Sequence, residues 1–372
     1  MKLSKTSRVL AMALVLAILF AFSACGKTGS GSQNDKAAPD ATADAAATPP
    51  EEESGEEEPA DNNPSESVPI NFGVLKGPTG MGAVFLLEDI EKNGYNYNVA
   101  IGSAPTEFTS MLVNGELDMA ALPTNVAATL YNKTKGGVKL LMLNTRGVLY
   151  ILEKGDSVQS VSDLAGKTIY ATGQGANPEY VLNYILRENG LEPGVDVTIE
   201  WRDSDELATL MASGEVDLCM LPVPAATTVT VKNPDVRYAL DLTREWDALN
   251  TGSELIMGCV VVRTEFYEEH PEAVREFMER YYNSVAGVME FVLPSGESNV
   301  DIGELLARHE IVGSAAIGNA ALPYSNLCHI YGADMKTAIE GYYEVLYNSD
   351  PSSIGGAVPD DDFYCDAGFE TK

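Results

Sequence analysis

The apolar and polar positions of this chain spell one pattern twice, 99 residues apart. Phe108, Met111 and Leu112 form an i, i+3, i+4 apolar triplet, one face of a helix. Gly115-Glu116-Leu117-Asp118, a short apolar run and Leu122-Pro123 follow. Leu207, Leu210 and Met211 repeat the triplet, with Gly214-Glu215-Val216-Asp217, an apolar run and Leu221-Pro222 behind it. The duplication extends upstream. Phe72 to Leu75 reads as a strand that runs into Lys76-Gly77-Pro78-Thr79-Gly80-Met81-Gly82 and a helix ending at Asn93-Gly94. Thr168 to Ala171 runs into Thr172-Gly173-Gln174-Gly175-Ala176-Asn177-Pro178 and a helix ending at Asn189-Gly190. Strand, Gly-rich turn, helix, strand, helix, strand, written twice, predicts two similar α/β lobes with a cleft between them.

Within each lobe the connections between strands are long enough to hold a helix, which predicts parallel strands. Lys139 to Leu143 and Gly147 to Leu152 are apolar runs split by Asn144-Thr145-Arg146, a first crossover between lobes. Leu255 to Val262 reads as the return strand. Two crossovers make a hinge rather than a leash, which suits closure around a ligand. His270-Pro271 then opens a helix running to about Phe291. Further helical patterns follow over 304–348, with Met335, Ile339, Tyr342, Tyr343 and Leu346 on one face.

The N-terminal region reads differently. Residues 1–24 combine Lys2, Lys5 and Arg8 with an apolar run from Val9 to Phe22, an export signal too short to span a bilayer. Phe22-Ser23-Ala24-Cys25 resembles the lipobox of bacterial lipoproteins, which implies that Cys25 becomes the mature N-terminus and carries acyl chains such as palmitate. Residues 26–69 are Ala, Pro, Ser, Gly and acid, with too little apolar surface to fold, and read as an extended tether. The whole chain carries a formal charge of −31, and the portion beyond the tether remains strongly acidic. That excludes nucleic acid as a partner.

Asp163-Leu164-Ala165-Gly166-Lys167-Thr168-Ile169 and the Gly-bearing turn behind it resemble the opening of the second lobe in solute-binding proteins of bacterial ABC importers. The Gly-Glu-x-Asp units and Val261-Val262-Arg263-Thr264-Glu265-Phe266 leading to His270-Pro271-Glu272 are similar to the branch serving nitrate, sulfonates, taurine and thiamine-precursor pyrimidines. The resemblance covers about residues 68–345. It implies an α/β, two-lobed, periplasmic-binding-protein-like (type II) fold with strand order 2-1-3-n-4 in each lobe. It also implies a monomeric extracytoplasmic binder that hands a small organic ligand to a permease driven by an ATPase. The expected domains are a signal over 1–24, lipidated Cys25 and linker over 25–67, lobe one over 68–148 with 255–350, lobe two over 149–254, and a tail over 351–372.

Ligands of open α/β sheets lie beyond the carboxyl ends of the strands. Lys76, Gly77, Pro78, Thr79, Gly80 and Met81 occupy that position in lobe one, with N–H groups suited to an anion or a carbonyl. Thr172, Gln174, Gly175 and Asn177 are their counterparts in lobe two, with amides that donate and accept. Thr124 and Asn125 offer donors or an N-cap, while Pro222 gives an apolar wall. Asn144, Thr145 and Arg146 lie in the hinge; Arg146 and Lys76 either clamp an anion or pair with nearby acids. Tyr150, Tyr180 and Trp201 either stack on a ring or belong to core and rim. The Gly-Glu-x-Asp units read as turns whose acids solvate the bend.

Neither Gly-rich turn has dinucleotide spacing, and Cys219, Cys259, Cys328 and Cys365 match no metal or redox spacing, so no cofactor or metal is expected. His270, His309 and His329 form no catalytic pattern, so no catalytic residue is assigned. An enzyme on the same fold, similar to thiamine-pyrimidine synthases or menaquinone-pathway proteins, and a surface receptor without transport are the alternatives.

Overall fold

The computed structural model describes residues 68–292 and 300–365; the signal, Cys25, the tether before Val68 and residues 366–372 lie outside the described residues. Strands β1 (Ile70–Leu75), β2 (Tyr97–Gly102), β3 (Met119–Pro123), β4 (Val138–Arg146), β5 (Leu149–Lys154), β6 (Thr168–Ala171), β7 (Thr198–Trp201), β8 (Leu218–Pro222), β9 (Val236–Asp241), β10 (Ile256–Arg263) and β11 (Leu327–Ile330) build two sheets. The first has order β11-β4-β10-β3-β1-β2 and the second β7-β6-β8-β5-β9. Both contain 2-1-3-n-4, where n is the strand arriving from the other lobe: β10 in the first sheet and β5 in the second.

The parallel expectation holds for β1 with β2 and β3, and for β6 with β7 and β8. It fails at the n strands. β10 runs antiparallel to β3 and β4, and β5 antiparallel to β8 and β9. The physical reason is direction of arrival: each n strand enters its sheet from the crossover, so it starts at the end where its neighbours finish.

That register gathers the carboxyl ends of the strands around the crossover. Ile256 pairs with Arg146, Gly258 with Pro123 and Leu149 with Pro222. The turns after β1, β3, β6 and β8 therefore meet where Gly147 and Val148 carry the chain from one sheet to the other. Gly147 is glycine for a steric reason. A Cβ there would lie 2.3 Å from Thr243 Oγ1 and 2.7 Å from Leu255 Cδ2.

Helices cover both sheets, and their caps follow the sequence. Gly94, Gly115 and Gly214 take the left-handed conformation at helix ends, with φ of 66°, 74° and 78°. The helix Pro271–Val292 packs on Val84–Asn93, and Asp334–Ser349 buries Met335, Ala338, Ile339, Tyr342, Tyr343 and Leu346. Residues 351–365 lie against the first sheet. Cys365 N donates to Leu140 O, Asn132 Nδ2 donates to the carbonyls of Ile354 and Ala357, and Phe363 is buried. Burial raises the thiols of Cys219 and Cys328 to about 12, the behaviour of small core side chains.

Buried Glu153, in β5, anchors the loop that follows that strand. It accepts from Ser157 N (3.0 Å), Ser157 Oγ (2.5 Å), Val158 N (3.1 Å) and Arg237 Nη2 (2.6 Å). Burial pushes its carboxyl up, but these donors outweigh it and the pKa falls below the ordinary 4.5. A depressed carboxylate stabilises fully above its unfolded pKa and loses that contribution as pH falls through the folded one. Glu153→Gln is therefore expected to cost about 1.5–3 kcal/mol at neutral pH. The gap to wild type should close below the ordinary carboxylate range, as read by urea unfolding from pH 7 to 3. A gap that stays constant with pH would refute the assignment.

Candidate functional site

In lobe one the turn after β1 is tightly built. Gly77 N donates to Ile311 O at 2.9 Å, and Gly80 N and Met81 N both donate to Gly77 O. The sequence-based expectation of free N–H groups at this turn is thereby corrected: segment 309–313, which has no counterpart in the duplication, supplies a carbonyl to Gly77. Gly80 serves packing, since a Cβ there would stand 2.0 Å from Leu75 O. Pro78 and Met81 are buried; Met81 Sδ accepts from Ser325 Oγ at 3.0 Å. Thr79 offers its carbonyl to Asn144 Nδ2 at 3.0 Å.

The hinge polar residues are likewise engaged. Asn144 Nδ2 also donates to Tyr281 Oη (2.8 Å), and Thr145 Oγ1 donates to Asn144 Oδ1. Arg146 Nε lies 2.5 Å from Glu254 Oε2, and Lys76 Nζ 3.3 Å from Glu310 Oε2. Of the two readings for these cations, the ion pair is the one observed.

The turn in lobe two is occupied by its own acid. Glu179 Oε2 accepts from Gly175 N at 2.7 Å, and Tyr180 Oη donates to Gly175 O and to Asp350 Oδ2. Gln174 and Gly175 are exposed, Thr172 is buried, and Asn177 is 6% exposed. Asn177 Oδ1 has no hydrogen-bond partner among the described residues. Tyr150 is core, at 2% exposure, and Trp201 lies half-buried in β7.

Helix caps separate the cleft from the rest of the second sheet. The helices after the edge strands β7 and β9 are capped by Asp203 and Asp241. The helices after the central strands β3 and β8, Thr124–Thr134 and Ala225–Lys232, begin behind Pro123 and Pro224 with no side-chain cap. Thr124 Oγ1 does not cap; it donates to Ile256 O at 2.7 Å. Half-buried Asn125 stands in the first turn, beside these N–H groups. Pro222 closes β8 opposite Leu149, and the Val223-Pro224 bond is cis. Pro224 lies opposite Gly77, where an added Cβ would stand 3.7 Å from Pro224 Cδ, so the turns after β1 and β8 face each other across the lobes. Beside that approach opens a 490 Å³ recess lined by Lys76, Gly77, Pro224, Glu310, Ile311 and Val312. Glu310, Ile311 and Glu179 are the candidate-site residues that sequence reasoning missed, whereas Pro224 belongs to the apolar wall expected with Pro222.

One cluster among the described residues has ligand atoms spaced for a metal: Glu88, Glu91 and His309, within 4.8 Å of one another. Its geometry is that of a compensated buried pair. Glu88 approaches His309 Nε2 at 2.7 Å while Glu91 approaches Nδ1 at 3.8 Å, and Arg308 and Lys92 already contact Glu88. Burial lowers the His309 pKa. His329 packs on Tyr282 and His270 on Phe266.

The family described as "ABC transporter, phosphonate, periplasmic substrate-binding protein" matches residues 86–292, more than half of the chain. The chain belongs to that family. No curated protein sequence matches this substrate-binding protein significantly. Its fold is similar to the crystal structure of an ABC transporter from Parabacteroides distasonis, with 22% identity, TM-score 0.65, and coverage of 81% of this chain and 99% of that one. It is also similar to the periplasmic aliphatic sulphonate-binding protein SsuA of Escherichia coli, with 14% identity, TM-score 0.60, and coverage of 78% and 92%. A ligand-binding component of an ABC-type import system from Staphylococcus aureus matches at 13% identity and TM-score 0.56, over 80% and 96%. Among the described residues of the substrate-binding protein, no helix is long and apolar enough to cross a membrane.

Proposed function

We propose that this substrate-binding protein captures a small organic molecule with an oxyanion head, phosphonate or sulfonate in type, by closure about the 146–149 and 254–256 crossovers. The observation that carries the reading is the uncapped helix N-termini that both lobes place at the cleft, behind β3 in the first and behind β6 and β8 in the second. Uncapped N–H groups and the helix dipole favour an anion without any cation. That matters here, because Arg146 and Lys76 are ion-paired. The phosphonate in the family description and the sulphonate of the Escherichia coli neighbour support the same head group. Thr124, Asn125, Asn177 and Pro222 are the contacts proposed, and Asn177 Oδ1 would accept from a donor on the ligand. The role is binding rather than catalysis. Acylation of Cys25 would hold the protein within tether reach of a permease and its ATPase, raising its effective concentration there.

A thermal-shift panel of alkyl phosphonates and sulfonates on the full chain carrying Cys25→Ser tests the class. A ligand at 100 times its Kd stabilises by about 2.7 kcal/mol. Asn125→Asp tests the site with opposed signs. A carboxylate beside the first-turn N–H groups should stabilise the helix by about 0.3–1 kcal/mol. The same charge should weaken oxyanion binding at least about tenfold, since it competes for those donors. Unchanged affinity for a ligand found in the panel would place the site elsewhere.

A further inference from the structure

Residues 322–326 connect the helix Ala315–Ala321 to β11 and have no partner in the internal duplication. They form a knuckle that belongs to the first sheet but touches the second. On the first side, Arg146 N donates to Asn326 O at 2.8 Å, β11 pairs with β4, and Ser325 Oγ donates to Ala321 O. On the second side, the Tyr324 ring stacks on Tyr238 of β9, with centroids 4.0 Å apart and planes 14° apart. Tyr150 Oη, in β5, donates to Tyr324 O at 2.8 Å. Asn326 adopts φ 44°, uncommon for a residue with a side chain. That conformation lets its amide donate to Gly147 O at 2.7 Å, with Tyr150 Oη at 3.1 Å and Thr243 Oγ1 at 3.3 Å also within reach. Gly147 is the crossover itself.

We propose that the Tyr324–Asn326 knuckle is a latch: it sets the angle between the lobes and favours the closed arrangement before any ligand binds. Rotation of the second sheet about the crossovers carries Tyr150, Tyr238 and Thr243 together. The knuckle stays with β4 and β11. Opening therefore separates the Tyr238–Tyr324 stack and the Asn326 amide from its lobe-two partners. A recess of 430 Å³ beside the knuckle, bordered by Arg146, Asp241 and Arg244, leaves space for that movement. The inference concerns the lobe angle and stands whatever the ligand proves to be. Its link to function is arithmetic: apparent affinity falls with the fraction of molecules in the binding-competent state.

Spin labels at Val113→Cys and Val195→Cys, exposed positions at 62% and 78%, report the distance between the lobes in the unliganded full chain carrying Cys25→Ser. Tyr324→Ala removes the stack and should lower the closed-to-open ratio about two- to tenfold, seen as a longer, broader distance distribution. Tyr324→Phe keeps the ring and the backbone acceptor and should superimpose on wild type. Asn326→Gly keeps the left-handed backbone, removes only the amide, and should also lengthen the distribution. If Tyr324→Ala does not fold, Asn326→Gly decides alone. Distributions for these variants indistinguishable from wild type would overturn the latch, with no bearing on which ligand binds.

Discussion

Trp246→Ala is expected to remove about 3–5 kcal/mol of stability, the range for deleting a fully buried large aromatic side chain. Trp246 is 0% exposed, in the short helix Leu242–Ala248 behind β9. Its ring lies 4.8 Å from Tyr184 and 5.7 Å from Tyr342, and its Nε1 donates to Ser253 O at 3.2 Å. Tyr184 belongs to a helix of the second lobe, whereas Tyr342 stands on Asp334–Ser349, which packs against β10 of the first sheet. One side chain thus joins two lobes and caps the strand that precedes the return crossover. Neighbours on three elements cannot collapse together into the space left, so the cavity term persists. Trp246→Phe should recover most of the loss and forfeit mainly the indole hydrogen bond, about 1 kcal/mol. Urea unfolding of the three proteins checks this. A loss under about 1 kcal/mol for the alanine variant would show that the site relaxes.

Asp118→Ala should cost about 2–4 kcal/mol, because it leaves two half-buried Asn71 donors without their acceptor and takes from half-buried Arg263 one of its two carboxylate partners, Glu265 being the other. Asp118, 4% exposed, accepts from Asn71 N at 2.9 Å, Asn71 Nδ2 at 2.7 Å and Arg263 Nη2 at 3.2 Å. Asn71 in turn accepts from Asn98 Nδ2 at 3.0 Å. One carboxylate therefore ties β1, β3 and β10 together at the edge of the sheet remote from the cleft, with β2 joined through Asn71. The internal control is its partner in the duplication. Asp217 is exposed, and Asp217→Ala should stay within about 0.5 kcal/mol of wild type in the same urea titration. Equal losses at the two positions would refute this account.

That pair also marks how far the sequence was legible. The duplication, the strand positions, the two-lobed order 2-1-3-n-4 and the buried face of Asp334–Ser349 follow from periodicity, glycine placement and family resemblance. What escaped depends on which strand arrives beside a residue. Gly-Glu-x-Asp reads identically in both copies, yet Arg263 of β10 comes up beside Asp118, whereas at the matching place Lys154 of β5 covers Gly214. The antiparallel n strands were missed for the same reason. At the site, the Gly-rich turns were located correctly in the fold, but Ile311 and Glu179 had already taken the N–H groups of Gly77 and Gly175. Segment 302–326 has no second copy to compare, so neither Asn326 nor Tyr324 carried a signal.

The position of β10 also fixes the order in which the molecule can be assembled. Its neighbours β3 and β4 cannot be bridged until the chain has delivered every residue up to Ile256. The second sheet needs only the continuous stretch from Leu149 to Asp241. Contacts close in sequence form sooner than distant ones. A chain emerging N-terminus first therefore completes its second lobe before its first, and the half that begins the sequence is the last to become whole.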